Sequence, residues 1–355
     1  MNNNLPIEHH KFIYDSEFLL ESGKKLPGFQ LMYSTLGTLN KDKDNVVWVI
    51  HALTGSSDFL AMWPGLFGED KIYNPKKYFI ICVNTLGGCY GSTGPLSINP
   101  ATQRPFYHSF PQLTIRDIVA SFDLLRCHLN IYKGHTVIGG SMGGQEAVEW
   151  CVSQPDVFQH LIQIASNAKH SAWGIAFNES QRAAISQDIT WQLQTDDAGR
   201  NGMKVARSIA LLSYRSYNTY LISQKENDDE VVDHFKAAGY QKYQGEKLAQ
   251  RFNAYTYWIL SKAMDSHNIG RKRGGISLAL QMIKAKCLFV GIDSDILFPL
   301  EEQRFLANSV SGSHLTILNS NYGHDGFLIE YKQLTEALQK FYHQVSEEKE
   351  IALDN

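Results

Sequence analysis

The sequence predicts an α/β protein with an open, mostly parallel sheet flanked by helices and interrupted by one long helical insertion. Two observations carry this. Short apolar, β-branched runs recur with a helix-length amphipathic segment between them, and that strand signal vanishes over one continuous stretch before it returns. Residues 45–51 (NVVWVIH), 78–83 (YFIICV) and 135–139 (HTVIG) are three such runs, ending in turn residues as strands buried on both faces do. Between the second and third, Ile115, Ile118, Val119, Phe122, Leu125 and Leu129 recur at three and four residues, so 114–130 reads as a helix with Thr114 near its N-cap. Residues 158–166 (FQHLIQIAS), 285–292 (AKCLFVGI) and 313–320 (SHLTILNS) supply further strands, with helical stretches after Leu300 and after Gly326. From 168 to 283 helical patterning replaces the strands. We expect a core of residues 1–167 and 284–355 and a helical lid of 168–283. The clearest piece of that lid is 202–224, with Val205, Ile209, Leu212, Tyr217 and Leu221 at helical spacing and Gly202 at its boundary. The end, SEEKEIALDN, reads as a charged segment that frays into solvent.

Composition excludes several classes. With 43% apolar and 19% charged residues among 355, the chain is neither disordered, collagenous nor a coiled coil. A balance of 33 Lys+Arg against 36 Asp+Glu leaves a net charge of −3, so no global basic field favours nucleic acid or an anionic membrane. Five cysteines without a C-x-x-C pair fit neither a disulfide framework nor a zinc ribbon, and residues 1–12 lack the apolar stretch of a signal peptide. The expectation is a cytoplasmic protein with no metal.

The chemistry starts at Gly139-Gly140-Ser141-Met142-Gly143, a G-x-S-x-G between a predicted strand and a predicted helix. Glycines at 139 and 143 permit the strained turn that lifts a serine hydroxyl above the sheet, and the helix start presents free N–H groups to a developing oxyanion. A serine needs an imidazole to take its proton and a carboxylate to orient that imidazole. The motif's chain order places the acid and then the histidine in loops after later strands. His324 follows LTILNS, and Asp293 and Asp295 both follow AKCLFVGI; spacing alone does not separate the two aspartates. The loop after the first strand, His51-Ala52-Leu53-Thr54-Gly55, is placed to give a second oxyanion donor, so the backbone N–H groups of Leu53 and Met142 are the expected pair. His51 itself reads as structural.

Several segments together resemble the homoserine O-acetyltransferase family of α/β-hydrolase-fold acyltransferases. They are HALTG (51–55), NTLGGCYGSTGPLSINPATQRPF (84–106), FPQLTIRDIV (110–119), GGSMGG (139–144), YQGEKLAQRFNA (243–254), KAMDSHNIGRKRGG (262–275), SDILFP (294–299) and GHDGFLIE (323–330). The resemblance implies two-step acyl transfer. Ser141, activated by His324, takes the acetyl group of acetyl-CoA, and the side-chain hydroxyl of L-homoserine then removes it as O-acetyl-L-homoserine for methionine biosynthesis. It places the triad carboxylate at Asp295. It also implies that Arg207, in the AR-x-I-A-x-L-S-Y segment, grips the acceptor carboxylate with Tyr214 beside it, and that Asp325 anchors the acceptor ammonium. Arg207 and Tyr214 are seven residues apart, about two helical turns, and so share a face. Acetyl-CoA enters as co-substrate, no bound cofactor is implied, and a homodimer formed through the lid is expected. Succinyl-CoA as donor, L-serine as acceptor, and a plain serine esterase are the alternatives.

The chain departs from the family pattern at Ser56-Ser57-Asp58, at Gln145-Glu146 and at Asn253, positions that bear on donor and acceptor choice. The run Arg271-Lys272-Arg273 reads as solvated, Cys89 as a small packing group, and the glycines at 87, 88, 91 and 94 match no nucleotide-binding spacing.

Overall fold

The computed structural model describes residues 6–353. Its centre is an eight-stranded sheet of β1 (Glu8–Tyr14), β2 (Phe29–Leu36), β3 (Val46–Ile50), β4 (Phe79–Val83), β5 (Gly134–Gly140), β6 (Phe158–Ile164), β7 (Lys286–Ile292) and β8 (His314–Leu318). In space the order is β1-β2-β4-β3-β5-β6-β7-β8. The β1–β2 and β2–β4 pairings are antiparallel and the remaining five are parallel. All five residues of β3, VVWVI, are buried, because helices cover both faces of the central strands. On one face Trp48 of β3 meets Trp150 edge-on at a ring distance of 4.8 Å.

Helices alternate with these strands. Helix α1 (Ile115–His128) starts with a capping box in which Thr114 and Asp117 satisfy each other's backbone N–H groups. Helix α2 (Met142–Ser153) follows β5 and is buried along almost its whole length. Between β6 and β7 lie α3 (Ala172–Ser186), α4 (Arg200–Tyr214), α5 (Tyr217–Ser223), α6 (Lys236–Ala249) and α7 (Ala254–Asp265). Helix α8 (Leu300–Ser309) connects β7 to β8, and α9 (Tyr331–Leu353) closes the described chain.

Three expectations are corrected here. The segment 202–224 is two helices, broken at Arg215, whose backbone is extended, and at Ser216, which caps α5. Val205, Leu212, Tyr217 and Leu221 are all half or more exposed, and the buried face of α4 is instead Met203, Ala206, Ala210 and Leu211. Ala206 and Ala210, with Gly202, leave room on that face for a neighbouring helix, and Met203 and Leu211 fill the rest of it. Gly202 lies inside α4, not at its start, and a Cβ there would stand 2.5 Å from the Ala184 carbonyl oxygen on α3; the left-handed N-cap is Gly199. The terminal segment does not fray up to Leu353, since α9 continues and Glu348 pairs with Lys286 of β7 at 2.6 Å. Residues 354–355 of that segment lie outside the described residues.

The basic run is not simply solvated either. Arg271 pairs with Glu21 at 2.7 Å and Arg273 with Glu149 at 2.6 Å, while Arg116 bridges both carboxylates. Glu21 is held down at about 2: burial works to raise it, and the Arg271 and Arg116 partners outweigh burial. This network ties the loop after α7 to α1 and α2.

Candidate active site

The turn from β5 into α2 is tight because both flanking glycines must lack a side chain. A Cβ on Gly139 would collide with the Gly143 carbonyl, and one on Gly143 with the carbonyl of Ile50. Between them Ser141 is forced to φ 58°, ψ −124°, a strained left-handed conformation for a non-glycine residue. Two bonds hold it there: its N–H donates to Ile164 O at 3.0 Å, and Ser166 Oγ donates to Ser141 O at 2.7 Å.

Ser141 Oγ lies 2.9 Å from His324 Nε2, and His324 Nδ1 lies 2.7 Å from Asp295 Oδ2. The other Asp295 oxygen accepts the N–H groups of Leu297 and Phe298 at 2.8 and 3.0 Å, so the carboxylate is fixed by its own loop. Burial works to lower the His324 pKa; the charge and hydrogen bond of Asp295, with the charge of Asp325, outweigh it and leave it raised. A base stronger than free imidazole results. The ambiguity over aspartates resolves in space: Asp293 faces away, accepting Asn319 Nδ2 at 2.8 Å and Ser320 N–H at 2.9 Å, and thereby ties the β7 loop to the β8 loop.

The loop after β3 sits opposite. Neither the Leu53 nor the Met142 amide has a hydrogen-bond acceptor among the described residues, and Leu53 lines the same cavity as Ser141. His51 explains how that loop is set. Thr85 N–H donates to His51 Nε2 at 3.1 Å, so Nε2 carries no proton and Nδ1–H must donate to Ala52 O, 2.9 Å away. Gly55 N–H reaches the same carbonyl at 2.8 Å. Ala52 C=O and Leu53 N–H belong to one planar peptide, so fixing the carbonyl aims the amide. Burial keeps His51 neutral by pushing its pKa down to about 4.

These groups open into a cavity of about 750 Å³ that also receives Arg207, Tyr214 and Asp325. The Arg207 guanidinium lies over the Tyr214 ring, 5.3 Å from its centroid, and that ring lies 5.7 Å from the His324 ring. Burial raises the Asp325 pKa against the opposing pull of Arg215, Arg207 and His324. The cavity thus gathers Ser141, His324, Leu53, Arg207, Tyr214 and Asp325 of the residues singled out in the sequence, while Asp295 stands behind His324 and Met142 follows Ser141 at the start of α2. It also adds some that the sequence did not suggest. Arg215 pairs with Asp325 at 3.0 Å. Arg251 donates to Thr54 O at 2.6 Å and so links the helices between β6 and β7 to the loop after β3. Arg215 escaped notice because it follows α4, where helical periodicity no longer says which way a side chain points.

The departures are accommodated structurally. Asp58 caps the turn Phe59–Met62 by accepting Ala61 N–H at 3.0 Å, and Ser57 is buried against Ser34 and Asn84. Asn253 caps α7 through Thr256 N–H at 2.8 Å, a task either Asn or Asp performs. Gln145 bonds Asn167 and His170, both at 3.1 Å, whereas Glu146 is fully buried with neither carboxyl oxygen partnered, and burial raises its pKa well above the ordinary value. Cys89 is partly buried against the core, and its thiol is pushed up to about 11 by burial. The glycine loop folds on itself: a Cβ at Gly94 would strike the Gly88 carbonyl. Among the described residues no cluster of three His, Cys, Asp or Glu could hold a metal ion, and no helix is long and apolar enough to cross a membrane.

Comparison with known proteins agrees with this geometry. A family model described as alpha/beta hydrolase fold matches residues 45–331. The chain is 53% identical over 323 residues to the homoserine O-acetyltransferase of Cyclobacterium marinum, covering 91% of this chain and 92% of that protein. It is 44% identical over 331 residues to the Nostoc punctiforme protein of the same name, covering 91% and 93%. Among solved structures, homoserine O-acetyltransferase from Bacillus anthracis is similar with a TM-score of 0.86 at 22% identity, covering 94% and 97%. Esterase E22 has the same TM-score at 24% identity, covering 95% and 100%. Likeness at that identity speaks for the fold alone. The sequence relatives go further, and with them the chain belongs to the homoserine O-acetyltransferase family of α/β hydrolases.

Proposed function

We propose that the protein moves the acetyl group of acetyl-CoA to the side-chain hydroxyl of L-homoserine through an acyl-Ser141 intermediate. The observation that carries this reading is that the hydrogen-bonded series Ser141–His324–Asp295 opens into the same cavity as Arg207, Tyr214 and Asp325. A nucleophile and a site suited to an α-amino acid therefore share one space.

Ser141 Oγ attacks the thioester carbonyl as His324 Nε2 takes its proton, and the oxyanion lies against the Leu53 and Met142 N–H groups. Collapse expels the CoA thiolate, which receives that proton from His324. The freed imidazole then takes the proton of the acceptor hydroxyl, whose oxygen attacks the acyl carbonyl; a second collapse returns the proton to Ser141 and releases the O-acetyl ester. Asp295 keeps the imidazole in the required tautomer throughout. Arg207 holds the acceptor carboxylate and Asp325 its ammonium, so the hydroxyl rather than water occupies the attacking position. The protein works as a homodimer in this reading, which the exposed apolar side chains Val205, Leu212 and Leu221 on α4 and α5 support.

The test is thiol release by the purified protein from acetyl-CoA or succinyl-CoA, each with L-homoserine, L-serine or no acceptor, alongside Ser141→Ala, with the product identified by mass. Release requiring acetyl-CoA, L-homoserine and Ser141 is the expected result. Release without acceptor would make the protein a thioesterase, and preference for another pair would change the substrate assignment.

A further inference from the structure

Arg215 stands where α4 ends, with extended backbone (φ −110°, ψ 146°) that turns its side chain back into the cavity containing Ser141 and Arg207. Its Nε lies 3.0 Å from Asp325 Oδ2. The ion pair is nevertheless incomplete, because the buried Nε–H is not directed at the carboxylate and has no hydrogen-bond acceptor among the described residues. A buried guanidinium donor left unfilled is costly, and its ordinary remedy is an acceptor that arrives with a ligand. Arg207, on the same cavity wall, has no carboxylate within ion-pair distance among the described residues and rests on the Tyr214 ring. Around Asp325 there are thus two guanidinium groups for one carboxylate. That surplus matches one incoming carboxylate group, and an arginine fork suits it geometrically.

We propose that Arg215 is a specificity-determining residue for the acceptor: it is the resting counter-ion of Asp325, and it exchanges partners when a zwitterionic amino acid binds. The acceptor's ammonium takes the place of Arg215 at Asp325, and the released Nε–H edge of Arg215 joins Arg207 on the acceptor's carboxylate. This rests on the acyl-transfer reading above and says how that site selects its acceptor. The two charged groups of the acceptor then act together. A molecule with the ammonium but no carboxylate must displace Arg215 and leave it unpaired in a half-buried wall. A molecule with the carboxylate but no ammonium leaves the Arg215–Asp325 pair standing and still meets Arg207.

The probes are L-homoserine, 4-hydroxybutanoate (the same hydroxyl and carboxylate without the ammonium) and 3-aminopropan-1-ol (the same hydroxyl and ammonium without the carboxylate). Their kcat/KM values as acetyl acceptors are compared in the unaltered protein, in Arg215→Gln and in Arg215→Lys. In the unaltered protein 3-aminopropan-1-ol should be the poorest acceptor, about tenfold or more below 4-hydroxybutanoate. Arg215→Gln should lower kcat/KM for L-homoserine about 10- to 100-fold, chiefly through KM, and should shift the ratio of the two truncated acceptors toward the aminoalcohol by about tenfold. Arg215→Lys, which keeps the charge but not the fork, should keep the acceptor order and recover only part of the L-homoserine KM. An unchanged ratio and unchanged L-homoserine KM in both variants would overturn the assignment and leave Arg215 a structural partner of Asp325. Should Arg215→Gln melt too low to assay, an unchanged KM in Arg215→Lys would overturn it equally. No transfer to L-homoserine by the unaltered protein would overturn the acyl-transfer reading and this assignment with it; transfer with an unmoved ratio overturns this assignment alone.

Discussion

Replacing His51 separates two tasks of one imidazole. Nε2 accepts Thr85 N–H in a site where Thr85 is 1% exposed, and Nδ1–H holds the carbonyl of the peptide whose N–H is that of Leu53. His51→Ala removes both bonds. Leaving the Thr85 N–H buried and unpaired costs about 1–3 kcal/mol and the lost bond to Ala52 about 1 more. A stability loss of about 3 kcal/mol follows before any cavity term. The Leu53 amide becomes less well aimed without disappearing, because Gly55 N–H still holds the carbonyl. Complete loss of one oxyanion donor lowers kcat by about 10²–10³, so a partial misalignment should cost about 10- to 50-fold in the acylation step with little change in KM.

His51→Asn discriminates between aiming and packing. Its side-chain N–H₂ can stand near the Nδ1 position and donate to Ala52 O, but it cannot reach Thr85. Urea unfolding should therefore show most of the stability loss retained, while rapid-mixing measurement of thiol release recovers acylation to within about threefold of the unaltered protein. If activity in the two variants falls in step with stability, or if neither variant slows acylation, the orientation of the Leu53 peptide by His51 is wrong.

Two further results follow from the geometry. Asp295→Asn should lower kcat about 10⁴-fold by losing the required tautomer of His324, whereas Asp293→Asn should leave kcat within about threefold and cost about 1–3 kcal/mol in stability through its bonds to Asn319 and Ser320; steady-state rates and urea melts on both variants decide this, and comparable kcat losses would refute it. Glu146 is buried, unpaired and raised in pKa, so the unfolded chain ionises there first, and its contribution to stability is present at low pH and is lost as pH rises above about 4.5. Glu146→Gln should therefore gain on the unaltered protein as pH rises above about 4.5, by at most about 1.4 kcal/mol per pH unit, in urea melts, and a difference independent of pH would refute the buried neutral acid.

The parts of the fold legible in the sequence are those whose burial is extreme. VVWVI, FIICV and the Val137-Ile138 centre of HTVIG read as strands because a strand covered on both faces must be largely apolar. Strand β1, EHHKFIY, gave no such signal: it pairs on one side only and is mostly solvated, so its composition is that of a loop. In α4 the helical spacing was legible, but not which face is buried. Met203, Ala206, Ala210 and Leu211, with Gly202 against α3, make the buried face, while Val205 and Leu212 point outward, and residue size does not separate Leu211 from Leu212. Arg271 and Arg273 were indistinguishable from solvated basic residues because their partners, Glu21 and Glu149, lie more than a hundred positions away. The site residues were legible for a different reason. Motif order and loop position constrain Ser141 and His324 directly; spacing does not separate Asp295 from Asp293, whereas the family resemblance does and the directions of the two side chains agree with it.

The corner between α4 and α5 presses on the loop that carries His324. Gly323, at φ 63°, lies so close that a Cβ would stand 2.8 Å from Ser216 N and 3.0 Å from Tyr214 O, and Ser216 and Thr219 both donate to Asn321 O. Tyr214 and Arg215 are thereby tied by contact to the loop that carries His324. A displacement of these helices wide enough to admit bulk water would also pull the base from Ser141. On the proposed mechanism, an acylated serine in such an opened protein would meet water without a base to activate it, so this contact would protect the intermediate from hydrolysis until an acceptor is in place.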